Sequence, residues 1–475
     1  ALRCRTGDSY GHKELASPEE ASVASTVVLI PSTDKTGTTD AAAINTALGN
    51  VGRGGSVLLG PGDWYTDAPL DIPDGTELAG IKSGINGHTS TSPAGSVIHP
   101  VADFSGRGVL NLSAVSGVRI RDLAILNDLG SPANVDGISC HGNVNGLEIL
   151  HVSVALVSGY GLAYYQSAGV DGDGLWMSRC MFQRTGKSAV HRPVNDANIH
   201  NVHIQYAGNV AGPADGHGFF SDAGSAGNMT YVGCRADLCR GSGWLIDHKG
   251  TYGDATKLVG CSTERNSQHG VLITNSSAAG TAWRSPVIIS GCCFEGDGTN
   301  VPAGGGPATG GEYAGIRVQG RNRVFIDGTT VVVSTTDVAA GAPKYALGID
   351  QIGSAPGQAE TIEWASGRMN YSTGQGGQAI QNNSLVDHLV IGPTVTQAGG
   401  FESTAISQRT GQVALAGGTA TVSSPWAFPQ SLIYLTVVGP AAAMGTPFVS
   451  ARGTGSFTVQ STSDTDASTV AWMIM

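Results

Sequence analysis

The sequence predicts an all-β chain: a right-handed, single-stranded parallel β-helix followed by a small C-terminal antiparallel β-domain. Three observations lead there. Glycine supplies 70 of the 475 residues and only 13% of the chain is charged, a composition that suits short strands and many turns better than helices. A short phrase, Gly or Ser followed by a few strand-forming residues, returns at intervals of roughly 24–33 residues, the mark of a stacked repeat. Beyond about residue 405 that rhythm gives way to alternating strands separated by Gly, Pro and Ser, as in an antiparallel module.

Taken in order, residues 1–35 read as a polar N-terminal linker that ends in Val27-Val28-Leu29-Ile30 before Pro31. Asp40 then precedes the apolar-periodic Ala41-Ala42-Ala43-Ile44-Asn45-Thr46-Ala47-Leu48, so a short helix is expected at about 40–49, plugging one end of the core. Val57-Leu58-Leu59 and Leu70-Asp71-Ile72 alternate around Gly and Pro turns and form the first coils.

The repeat proper begins near residue 109. Gly137-Ile138-Ser139-Cys140-His141, Gly161-Leu162-Ala163-Tyr164-Tyr165, Ser188-Ala189-Val190-His191-Arg192, Gly218-Phe219-Phe220-Ser221-Asp222 and Gly243-Trp244-Leu245-Ile246-Asp247 are successive instances. A second phrase ends in Cys180, Cys234, Cys261 and Cys292, so each coil is expected to hold two strands. A single coil cannot bury its own apolar side chains; stacking on its neighbours does. The stretch Gly296 to Gly311 reads as a loop insertion on one coil. The domains expected are therefore a linker over 1–35, a β-helix over 36–405 and a terminal β-module over 406–475.

Net charge is −11; nucleic acid is not an expected partner, because phosphate binding needs clustered Lys and Arg. No apolar run reaches the roughly 20 residues that span a bilayer, and the sequence opens at Ala1 without a charged-then-apolar stretch, so membrane insertion is not expected. The cysteines recur at matching places, which points to stacked buried thiols rather than disulfides or a metal site. No cofactor is expected.

Gly37-Thr38-Thr39-Asp40, Ala43-Ile44, Pro61-Gly62-Asp63-Trp64-Tyr65 and Pro69-Leu70-Asp71-Ile72-Pro73 resemble the N-terminal signature of the pectate-lyase-like superfamily, found in phage tailspikes and in polysaccharide lyases and hydrolases. Phe448-Val449-Ser450-Ala451-Arg452-Gly453 and the run Ser461 to Trp472 resemble a terminal module of phage tail proteins. The resemblance implies a homotrimer in the virion tail that binds a host surface polysaccharide, joined to other tail proteins on its N-terminal side; with it, the expected activity is hydrolysis of that polysaccharide by a glycoside hydrolase. A secreted bacterial polysaccharide hydrolase or lyase and a non-catalytic adhesive fibre are the alternatives. Such a fold hosts many chemistries, so the site must be argued from residues.

Equivalent residues on adjacent coils lie roughly 4.8 Å apart, so sequence columns are spatial neighbours. Four residues after the leading Gly or Ser the column reads His141, Tyr165, Arg192, Asp222, Asp247, Thr274 and Gln319. Asp222 and Asp247 would be adjacent carboxylates, the requirement of a glycosidase acid pair. Three residues after Cys234, Cys261 and Cys292 stand Asp237, Glu264 and Glu295. The catalytic candidates are thus Asp222, Asp247, Glu264 and Asp237, with Arg192, His217, Asp215, His248, Lys249 and Glu295 as substrate contacts. An eliminating enzyme would instead draw on Arg192, His191, His248 and Lys249 as base and cation. Trp176, Trp244 and Trp283 are candidate sugar platforms, Trp244 being better placed for the core.

Overall fold

The computed structural model describes residues 25–82, 85–86, 90–91, 95–130, 132–165, 172–209, 215–221, 228–247, 255–274, 286–298, 314–319, 323–332, 345–350, 361–370, 378–382, 388–398, 410–424, 427, 429–453 and 455–474. Asp222, His248, Lys249, Trp283 and most of the expected insertion after Gly298 lie outside these residues.

Most of the described coils carry three parallel strands, one more than the sequence phrases suggest; in the last two, the first two strands run together as Thr361–Asn370 and His388–Ala398. Leu147–Leu150, Ser153–Ala155 and Leu162–Tyr165 make one coil; Asp173–Ser178, Met181–Gln183 and Val190–His191 make the next. Each strand pairs with its equivalents above and below, as in Leu147↔Leu175, Ser153↔Met181 and Leu162↔Val190. Three parallel ladders result, the long axis of a β-helix. The middle strand escapes a sequence reading because it is three residues long and follows the first after a single bend.

That bend is chemically defined. Asp122, His151, Arg179, Asn201, Gly233, Gly260, Gly291 and Gly328 occupy it in successive coils, all with φ between 51 and 62°. A left-handed residue with a side chain costs about 1–2 kcal/mol, and glycine removes the penalty in the later coils. In return each bend keeps its N–H in the ladder: His151 donates to the carbonyl of Ser178, Arg179 to His200 and Asn201 to Val232.

Just past the bend stand the expected thiols. Cys180, Cys234, Cys261 and Cys292 are free and buried, and each Sγ lies within hydrogen-bonding reach of a carbonyl one coil away: Ile149, Ile199, Tyr231 and Leu258 respectively. Thr329 continues the column with its hydroxyl on the Ile289 carbonyl. Glycine opens most third-ladder strands, and crowding favours it there. A Cβ on Gly161, Gly218, Gly243 or Gly270 would stand 2.6–2.8 Å from the carbonyl oxygen of the next coil.

Inward side chains form one continuous core, from Ile44 and Leu48 of the helix Thr38–Val51 through Trp64, Phe182, Trp244 and Phe294 to Trp364. The helix runs a little beyond the expected 40–49 and presents Ala41, Ile44, Ala47, Leu48 and Val51 to that core. Trp244 is fully buried and stacked on Phe219 at 5.0 Å, in the core as expected. A separate antiparallel module follows, in which Thr469–Ile474 pairs with Thr410–Ala414 and Ile433–Gly439, and Ser456–Ser461 with Thr419–Ser423 and Pro447–Gly453. It has its own core around Phe457 and Trp472. No helix among the described residues is long and apolar enough to cross a membrane.

Asp297 is a carboxyl buried inside the coils. Asp297 accepts from the Thr263 hydroxyl and from the Asn266 backbone and side-chain amides, yet burial outweighs these donors and pushes its carboxyl up to about 7. Its folded value stands above the ordinary carboxylate range, so the folded state binds the extra proton and stability falls as pH rises from about 4 to about 7. Asp297→Asn is expected to flatten that slope and to be at least as stable as wild type at pH 8, measured by urea unfolding at pH 5 and pH 8.

Candidate functional site

The third ladder carries the densest polar and aromatic grouping among the described residues. In the turn that leads into its strands, Tyr160, Ser188, His217, Ser242, His269 and Ala314 succeed one another coil by coil. The side chains bind the next backbone: the Ser188 hydroxyl accepts from the His217 N–H, His217 Nδ1 from the Ser242 N–H at 3.0 Å, the Ser242 hydroxyl from the His269 N–H, and His269 Nδ1 from the Ala314 N–H. An imidazole nitrogen that accepts carries no proton, so neutral His217 and His269 hold theirs on Nε2. His217 is therefore a structural rung as well as a polar group at the site.

Tyr160 starts this column and anchors the chemistry. Its phenol donates to Asp215 Oδ2 at 2.7 Å, while the Ser188 hydroxyl donates to Asp215 Oδ1. Its ring stacks on His191 at 4.0 Å, and the Lys187 ammonium lies 5.0 Å from its centroid. Ring contacts extend both ways: His141 on Tyr165 at 4.9 Å, Tyr165 near Tyr160 at 6.4 Å, His191 near Phe220 at 4.9 Å, and Phe220 near His217 at 5.4 Å. Six rings thus run along one side of four coils. Burial and the neighbouring Asp215 push the Tyr160 phenol well up.

Below this band, Asp136 accepts from the Tyr165 phenol, the Ser139 hydroxyl and the Tyr160 backbone N–H, and pairs with Arg107. Arg107 also lies over the Tyr165 ring at 4.0 Å. Burial raises the Asp136 carboxyl, and the four partners counter it. His141 is pushed down by burial and by Arg107, which favours its neutral form.

The structure sorts the sequence-derived residues onto different ladders. His141↔Tyr165 and Asp247↔Thr274↔Gln319 are in register as expected. Arg192 is not in that column: Ala163↔His191↔Phe220 fixes it one place short of the Tyr165 position. The reason is that Ala189, rather than Ser188, holds the leading-glycine place in that coil, Ser188 being the rung before it. Asp215 is hydrogen-bonded to Tyr160, and His217 lies two coils further on, against Phe220. Asp247 is buried at the end of its strand.

Asp237, Glu264 and Glu295 are in register on the second ladder. Cations neutralise part of this column: Asp237 pairs with His203 at 3.0 Å and with Arg235, and Arg235 and Arg265 reach Glu264. Arg235 and Glu264 are both about half exposed, so that pair contributes at most about 1 kcal/mol. Asp237 Oδ1 is buried without a hydrogen-bond partner among the described residues. No group of three or more His, Cys, Asp or Glu arranged to hold a metal ion occurs among the described residues.

Sequence reasoning missed Tyr160, Lys187, Asp136 and Arg107. The only signal was the run Ser158-Gly159-Tyr160-Gly161, in which a bulky ring stands between glycines at a turn. Asp136 accepts the buried Tyr160 N–H and three side chains, so Asp136→Ala is expected to destabilise the β-helix by about 1–3 kcal/mol; Asp136→Asn should lose clearly less, both read from urea unfolding.

Comparison with known proteins agrees with this architecture. Gene product 12 of bacteriophage phi29 superposes with TM-score 0.50 at 12% identity, over 69% of this chain and 50% of that one. The A-module of mannuronan C-5 epimerase AlgE6 from Azotobacter vinelandii gives TM-score 0.45 at 16% identity, over 76% and 95%. The tailspike protein of E. coli bacteriophage HK620, solved with a pentasaccharide, gives 0.49 at 10% identity, over 94% and 90%. No curated protein sequence matches the chain. Residues 404–475 match the family described as the C-terminal domain of K1 capsule-specific polysaccharide lyase, so the last module is similar to that domain, and the described residues from Thr26 to Ala398 have the fold of a parallel β-helix.

Proposed function

We propose that this chain is a tailspike-type protein that binds a host surface polysaccharide and cleaves it by β-elimination at the ring band of the third ladder. The observation that carries the reading is the Tyr160–Asp215 hydrogen bond inside a row of stacked rings, with the Lys187 ammonium near the Tyr160 ring and the Arg192 charge acting on its phenol. Aromatic rows suit sugar faces, and elimination needs a base, an acid and a cation close together. The match of residues 404–475 to a capsule lyase's terminal domain supports the same reading. On it, the protein works as a homotrimer in the extracellular virion tail, attached to other tail proteins through its N-terminal side.

The reaction assigns each group a role. The substrate is an acidic glycan whose carboxylate is held by Lys187 and Arg192, which lowers the barrier to removing the adjacent carbon-bound proton. The Tyr160 oxygen receives that proton while its own passes to Asp215. The electron pair left behind forms the double bond, the bond to the glycosidic oxygen breaks, and His191 in its protonated form supplies the proton that oxygen takes up. Because the phenol is held protonated by burial and by Asp215, it acts as a base only through this relay.

A second reading, hydrolysis by the Asp237 and Glu264 pair, is favoured by one fact: Asp237 Oδ1 takes no hydrogen bond among the described residues. The untested acid pair Asp222 and Asp247 belongs with this reading. The two chemistries separate in one assay on the host's capsular polysaccharide, scoring unsaturated ends by ultraviolet absorbance beside total reducing ends. Elimination predicts both signals, a fall of at least about 100-fold in Tyr160→Phe, and a near wild-type rate in Glu264→Gln. Reducing ends without unsaturation would establish hydrolysis, and neither signal would leave a purely adhesive protein.

A further inference from the structure

The first ladder bears a cleft that the ring band does not use. At the corner that leads into this ladder, Gly117, Gly146 and Gly174 succeed one another, followed by Asp196 and Asn228, all with left-handed φ. Three consecutive coils without side chains leave a trough, and the next coil raises a wall of Asp196, whose carboxylate accepts from Asn228. The cleft measures about 440 Å³ and is lined by Gly146, Gly174, Glu148, Trp176, Asp196 and Asn198.

Trp176 forms its aromatic side. Alternation along Asp173–Ser178 sends Leu175 and Met177 into the core and Trp176 outward, between Glu148 and Asn198 of the adjacent coils. The indole is 46% exposed, whereas Trp64, Trp244 and Trp364 are fully buried. It is not loose: it stacks on His200 at 4.9 Å with 23° between the rings. Leaving so large an apolar face in water is unfavourable by about 25 cal/mol per Å², and a flat, braced indole beside hydrogen-bonding groups is the surface that a pyranose ring covers.

The polar partners set the class of sugar. Glu148, Asp173 and Asp196 give the cleft a negative rim, and the Asp173 carboxyl is raised by burial and by its hydrogen bond to Asp196. Glu148 is tied to Arg119. Carboxylates and the Asn198 amide receive and donate hydrogen bonds to hydroxyls but repel a uronate. We infer that the Trp176 cleft is a second glycan-binding site, selective for an uncharged pyranose segment that stacks on the indole and bonds Asn198 and Asp196.

The inference does not depend on cleavage, so it is tested by binding. Maltohexaose, chitohexaose, dextran-derived hexasaccharide and hexagalacturonate are titrated into the full chain, followed by calorimetry and by iodide quenching of tryptophan fluorescence. At least one neutral hexasaccharide should bind and shield the exposed indole. Trp176→Ala should weaken it by tenfold or more, Trp176→Phe by less, and Asn198→Ala by several-fold, with unchanged unfolding midpoints. Hexagalacturonate should bind no better to wild type than to Trp176→Ala. Absence of binding by all neutral probes, equal affinity in Trp176→Ala, or Trp176-dependent binding of hexagalacturonate would overturn the assignment.

Discussion

A single left-handed residue at the corner between the first and second ladders sets the geometry on which everything else rests. From Asp122 to Gly328 it recurs with nearly constant φ, turning the chain within one residue while keeping its N–H in a bond to the next coil. A bend of fixed size keeps adjacent coils in register, and register is what turns sequence spacing into side-chain columns. Where Arg179 or His151 holds the position, the penalty of roughly 1–2 kcal/mol is outweighed by the ladder bonds on either side.

Register explains how a core assembled from short strands satisfies its polar groups. Thiols and a threonine hydroxyl reach carbonyls across coils at one corner; serines and histidines accept backbone N–H groups at another. Both columns replace hydrogen bonds that the tight turns would otherwise leave unmade, where each missing bond costs about 1–3 kcal/mol. The serine–histidine column then leads directly to the proposed site, because Tyr160 occupies its first rung. Structure and chemistry share that column: His217 is fixed in one tautomer by the same bond that closes the coil.

Charge is partitioned among the faces. The second ladder stacks acids but threads Arg235, Arg265 and His203 between them. The third collects Lys187, Arg107 and Arg192 around rings, which suits an anionic glycan. The first leaves Trp176 bare above a negative cleft, which suits an uncharged one. A polymer whose repeat contains both kinds of sugar would meet a face for each.

The sequence by itself determined the repeat, the capping helix, the buried thiols and the separate terminal module, because each depends on local spacing and apolar pattern. It also placed Asp237, Glu264 and Glu295 in one column, since cysteine spacing fixes their offset from a regular bend. It missed the third strand of most coils and shifted Arg192 by one place, because Ala189 fills a site that glycine fills elsewhere. Only the tertiary structure brought Tyr160 to Asp215, 55 residues apart, and Arg107 to Asp136 and Tyr165. Those contacts cross coils of unequal length, and the number of residues in each turn, unlike the bend, obeys no repeat that a sequence can display.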